Sequence, residues 1–143
     1  MGGSDRHREC NVSGMRSGPL TDITIAAARH TIGLVNALPR QAVFYRIGSQ
    51  LLDSGTSQGA NYRAACRARS TADFVAKLKI VEEESDEAHF WVDRLFDAGL
   101  PEALHQQARD LQALLLQVTR MTVASIRTTR DRQRAKRDMG LRS

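Results

Sequence analysis

An all-α fold, and within that class a bundle of four helices, is what this sequence predicts, and three features predict it. Aromatic residues are only 5% of the 143 positions and there are three prolines, while Ala, Leu, Arg, Gln and Glu are plentiful. Such a composition favours helices over sheets, whose strands need β-branched and aromatic runs. Apolar residues recur at steps of three and four through long stretches, which is the period of one helix face. Between those stretches stand breaks with capping or turn chemistry. At this length the chain makes one domain, because two halves would each be too small to bury an adequate core.

Residues 1–20 show no apolar periodicity and read as a disordered tail without an assigned role. The bundle is expected over residues 21–126, and residues 127–143 form a basic extension of its last helix. Thr21 and Asp22 suit the start of a first helix that carries Ile25, Ala28, Ile32, Val35 and Leu38 on one face, with Pro39 ending it or restarting the chain. A second helix is expected from about Arg40 to Ala68, with Val43, Ile47, Leu51, Ala64, Ala65 and Ala68 on or beside its inward face. Its middle holds Gly48, Gly55 and Gly59 with Ser49, Ser54, Thr56 and Ser57, whose summed preferences would allow a break between Asp53 and Gly59. The preferred reading, partly on the resemblance given below, is a helix kept whole by packing, in which small residues let a neighbouring backbone come close.

The third helix has the clearest start. In Ser70-Thr71-Ala72-Asp73 the Ser70 hydroxyl can accept from an orphan amide near Asp73, whose carboxylate sits in the positive first turn. From there Phe74, Leu78, Val81, Ala88, Val92 and Leu95 form one stripe that only Ser85 weakens. Asp97-Ala98-Gly99-Leu100-Pro101 then supplies a Gly past the last periodic residue and a Pro for the first turn of the next helix. A turn that short makes the third and fourth helices antiparallel neighbours. The fourth carries Leu104, Ala108, Leu111, Leu115, Val118 and Thr122, with Leu114 and Met121 alongside, to about Ile126. Four such helices bury one another as an up-and-down bundle.

Charge is unevenly placed. From Arg127 to Ser143 seven cations stand against two carboxylates, a net +5 that equals the surplus of the whole chain. A polyanionic partner is therefore most easily reached through the C-terminal end. No window approaches the roughly 20 apolar residues of a membrane span, and the first twenty residues lack the apolar centre of a secretion signal. A soluble, cytoplasmic protein without a membrane partner is expected. The two cysteines, Cys10 in the tail and Cys66 among small residues, offer no disulfide framework or zinc spacing, so Cys66 reads as a small core residue.

Three stretches carry a family resemblance: S-Q-G-A-N-Y-R at Ser57 to Arg63, S-T-A-D-F-V-A-K at Ser70 to Lys77, and E-S-D-E-A-H-F-W at Glu84 to Trp91. With Gln50 upstream, they resemble the four-helix bundle proteins encoded by intervening sequences within bacterial 23S ribosomal RNA genes, over about residues 29–126. The resemblance implies an up-and-down bundle assembling as a ring-shaped homopentamer. A related branch serves as accessory proteins of diversity-generating retroelements, which implies nucleic acid, chiefly RNA, and a reverse transcriptase as partners. The family's motif positions fall on Ser57, Gly59, Asn61, Tyr62, Asp73, Phe74, Lys77, Glu84, Glu87 and Trp91. One departure stands out: the acidic residue that commonly follows the Asn-Tyr pair by two is Ala64 here, so any ion pair made by that carboxylate is missing.

Asn61 and Tyr62 have a ligand-binding reading and a structural one, in which buried polar groups complete hydrogen bonds and hold helix register; the structural one weighs more. Glu84 and Glu87 lack an accompanying nucleophile, which favours surface or intersubunit charge over acid and base work. Trp91, at the edge of the stripe, reads as core or interface. Asp86-x-x-His89 and Glu102-x-x-His105 have the carboxylate and imidazole spacing of di-metal bundles. The first two helices offer only Asp22 near an end and Asp53 mid-helix as the other ligands such a site needs, so no metal or other cofactor is expected. The candidate nucleic-acid contacts are Arg63, Arg67 and Arg69, and Arg127, Arg130, Arg132, Arg134, Lys136 and Arg137, whose charges suit phosphates. Catalytic residues are not expected. The contrasting reading is a scaffold that binds another protein and no nucleic acid.

Overall fold

The computed structural model describes residues 18–140 and is helical throughout, with four long helices and no strand among those residues. We label them α1 (Pro19–Ala37), α2 (Ala42–Cys66), α3 (Thr71–Asp97) and α4 (His105–Asp138), with one 3₁₀ turn, Glu102–Leu104, before α4. Each helix packs on two others: α2 on α1 and α3, and α4 on α3 and α1. The expected tail lies outside the described residues up to residue 17, as do residues 141–143 of the basic extension.

α1 begins two residues before the expected Thr21. Pro19 sits in its first turn, where the absent amide and locked φ are no handicap, and Leu20 is already core. Its buried face also differs from the expected one. Leu20, Ile23, Thr24, Ala27, Thr31 and Leu34 point inward, whereas Ile25 and Ile32 are 44% and 45% exposed. The helical period holds, and Val35 and Leu38 of the expected face pack half-buried against the core. The inward face is nonetheless rotated away from Ile25 and Ile32, because α1 has apolar residues on both flanks and admits two threonines to its core. Thr31 spends its hydroxyl on the Ala27 carbonyl at 2.7 Å, which makes its burial tolerable. The same correction holds at the start of α2, where Phe44 is buried and Val43 is exposed.

α2 is one unbroken helix through its small-residue middle. A Cβ on Gly59 would lie 3.4 Å from the Thr24 carbonyl oxygen, and one on Gly55 would meet the Thr31 side chain, its Cβ 2.9 Å away. Close approach to α1 is what these glycines provide. Gln58, fully buried, ties the two helices by donating its amide to the Thr24 carbonyl at 2.7 Å and to the Gly55 carbonyl at 3.0 Å.

α3 starts as its sequence requires, with the Ser70 hydroxyl accepting from the Asp73 amide at 3.0 Å. Phe74, Leu78, Val81, Ser85, Ala88, Val92 and Leu95 are all buried, Ser85 bonding back to the Val81 carbonyl at 2.7 Å. Gly99, with φ +85°, turns the chain after α3. Pro101 then opens the 3₁₀ turn and not α4 itself. On α4 the inward residues are Ala108, Leu111, Gln112, Leu115, Val118, Thr122 and Ile126. Cys66 lies half-buried against the core and is disulfide-bonded, which corrects the expectation of an unpaired cysteine. No helix of the described residues is long and apolar enough to cross a membrane.

Candidate nucleic-acid interface

The basic extension is helix. α4 continues past Ile126 without interruption to Asp138, so the backbone itself holds Arg127, Arg130, Arg132, Arg134, Lys136 and Arg137 at fixed offsets. All six are exposed, and beyond Ile126 only Thr129 and Gln133 are even half-buried among the described residues. Positions 127, 130, 134 and 137 are spaced three, four and three apart, which gathers four guanidinium groups on one flank, while Arg132 and Lys136 lie on the other side. Asp131 stands one turn from both Arg127 and Arg134 on the edge of that flank. Lys136 and Arg137 also face the negative end of the helix dipole, which favours them there.

The second candidate group, Arg63, Arg67 and Arg69, is exposed around the end of α2 and its turn into α3. The aromatic residues beside it, Tyr62 and Phe74, are 2% and 5% exposed. The surface around these cations thus has charge without an accessible ring.

The residues brought in by the family resemblance distribute differently. Asn61, half-buried, donates to the Ser57 carbonyl at 2.9 Å and to its hydroxyl at 3.3 Å, one turn back on the same helix. Tyr62 and Phe74 are core, Gly59 meets α1, and Asp73 is exposed in the first turn of α3. Lys77, Glu84 and Trp91 recur every seven residues and are half-buried on one flank of α3. Burial first, then the charges of Glu87, Glu83 and the α2 residue Asp53, push the Glu84 carboxyl above its ordinary range. Glu87 accepts from the Trp91 indole at 3.3 Å. Phe90, half exposed beside Trp91, has the Arg94 guanidinium 4.7 Å over its ring, and Arg94 pairs with Asp97 at 2.8 Å.

The two metal-spaced pairs have other engagements. His105 donates Nε2–H to the Leu100 carbonyl at 2.8 Å and packs on Phe96, whose ring also carries the Arg109 guanidinium at 4.1 Å. His89 Nδ1 lies 3.8 Å from Asp93, which in turn accepts from Gln112 of α4 at 2.7 Å. Among the described residues no three His, Cys, Asp or Glu side chains come together where they could hold a metal ion.

One feature of this surface escaped the sequence. Ile25, Ile32, Tyr45 and Leu52 are exposed on α1 and α2, and the turn between those helices holds a cleft of about 550 Å³ lined by Val35, Leu38, Pro39, Phe44, Tyr45 and Leu52, with Arg40 at its edge. The available signal was the second apolar flank of α1.

No protein-family profile and no curated protein matches the chain. Among solved structures it is similar to a protein of unknown function from the S23 ribosomal protein family of Bacteroides thetaiotaomicron VPI-5482. The two share 27% identity over 75% of this chain and 97% of that one, with a TM-score of 0.68. The chain is thus an all-helical four-helix protein with a structural neighbour in that family.

Proposed function

We propose that this chain is a non-enzymatic, antiparallel up-and-down bundle of the kind encoded by 23S rRNA intervening sequences, assembling as a homopentamer in the cytoplasm and binding nucleic acid, RNA or a ribonucleoprotein, through its Arg-rich surfaces. The observation that carries the reading is the helical continuation of α4 through Asp138 with its cations exposed. Antiparallel order of α1 and α2 is supported by their contacts, since Gly48, Gly55 and Gly59 meet Val35, Thr31 and Thr24 in descending sequence. For α3 and α4 the reference pair is Asp93 with Gln112. Equal steps from it, back along α3 to Thr71 and onward along α4 to Arg134, reach one pole of the bundle. Arg63, Arg67 and Arg69 then join the α4 cations at that pole, and a ring would multiply the effect through avidity. A retroelement accessory protein with a reverse transcriptase partner is the sharpest form of this reading.

The test is a filter-binding titration with RNA at several salt concentrations. Binding should weaken steeply with salt, and truncation after Ile126 should flatten that dependence. Absence of binding at low salt would overturn the reading. The scaffold alternative draws on the exposed apolar residues of α1 and α2 and the cleft between them. It predicts self-association or a protein partner with no response to RNA. Light scattering reads the subunit number directly.

A further inference from the structure

The geometry points to the basic end of α4 as a one-sided clamp on double-helical RNA, with Arg127, Arg130, Arg134 and Arg137 on phosphates and Asp131 on a ribose 2′-hydroxyl; this rests on the nucleic-acid reading above. Three observations select that occupant. The four arginines span about 15 Å of helix axis at 1.5 Å per residue, a length over which a duplex presents phosphates densely along both strands. From Asp97 to Ser143 the sequence has no aromatic residue, and the rings next to Arg63 and Arg69 are buried. Single strands are held largely by stacking on exposed rings, and this surface has none to offer. From Arg127 to Asp138 the only apolar residue is Ala135, so the segment lacks the greasy face with which a basic helix enters an anionic membrane.

Asp131 selects RNA over DNA. A carboxylate within one turn of Arg127 and Arg134 is repelled by a bare phosphate backbone. An RNA duplex, read across its wide, shallow minor groove, presents 2′-hydroxyl donors beside the phosphates, and a carboxylate accepts from them. The same residue is therefore a cost on DNA and a contact on RNA.

Fluorescence anisotropy of the full chain with a 20-base-pair RNA duplex, one of its strands alone, and the DNA duplex of the same sequence tests this. The RNA duplex should bind tightest. Each phosphate contact to a duplex contributes a slope of about −0.9 in log K against log salt, so Arg127→Gln, Arg130→Gln, Arg134→Gln and Arg137→Gln together should flatten it by roughly 3 to 4. Arg132→Gln with Lys136→Gln should flatten it less. Asp131→Ala is the sharpest arm, because simple charge removal would tighten every complex, whereas here the RNA duplex should weaken severalfold while the DNA duplex tightens. Circular dichroism melts verify that each variant is folded. Equal affinity for the single strand, an unchanged slope in the fourfold variant, or tightening on both duplexes by Asp131→Ala would overturn the clamp while leaving nucleic-acid binding intact. Failure of every probe to bind at low salt would instead remove the reading on which the clamp rests.

Discussion

Along α4, Ala108, Leu111, Leu115, Val118, Thr122 and Ile126 are buried in succession, whereas from Arg127 to Gly140 no residue is. One uninterrupted helix thus passes between two regimes. In the body, apolar burial against α1 and α3 holds the helix, and its propensity matters little. In the basic end, backbone hydrogen bonds and residue preference do most of the holding, and its outer flank takes no part in the core. Substitutions in the two regions should therefore separate stability from binding.

The largest expected effect is in the body. Leu78→Ala removes a fully buried side chain from the α3 stripe and should cost about 2 to 5 kcal/mol in chemical denaturation. Gly55→Ala drives a methyl group into Thr31 where α1 and α2 approach, and overpacking of that sort costs about 1 to 3 kcal/mol. If it proves neutral, the close approach is not what keeps α2 whole. Ser70→Ala deletes the cap of α3 at about 1 kcal/mol. Truncation after Ile126 should shift the melting temperature by less than Gly55→Ala does while weakening RNA binding and flattening its salt dependence. A large loss of stability on truncation would erase the contrast between the two regions.

The smallest effect concerns Glu84. Its carboxyl is raised above the ordinary 4.5 by burial and by Glu87, Glu83 and Asp53, so ionising it is less favourable in the folded chain than in the unfolded one. Stability accordingly falls as pH rises from that ordinary value through the folded one, and the loss is complete above it. Glu84→Gln should slightly raise the melting temperature at neutral pH and remove this part of its pH dependence. Partial exposure keeps the gain small.

How much of this is legible in the sequence varies by helix. α3 is readable because its apolar residues occupy one flank and its opposite flank is charged, so burial has only one solution. Its start is equally plain, since a hydroxyl before an orphan amide is a local arrangement. α1 misleads because Ile25 and Ile32 compete with Ile23 and Leu34 for the inward position, and threonines that bond back to their own helix are cheap to bury. The sequence does not say which flank meets α2. The candidate cations are identifiable by type and spacing. That Glu84 lies within electrostatic reach of Asp53 requires the packing of α2 on α3.

From the chain of residues alone came four helices, the cap at Ser70 and the concentration of positive charge after Ile126, because each depends on neighbours within a few turns. Only the tertiary structure decided the inward flank of α1, the exposure of Ile25, Ile32, Tyr45 and Leu52, and the pressure on the Glu84 carboxyl. Those follow from which helix lies against which, a choice made by summed burial and close approach at Gly55 and Gly59, and no local stretch of sequence contains that sum.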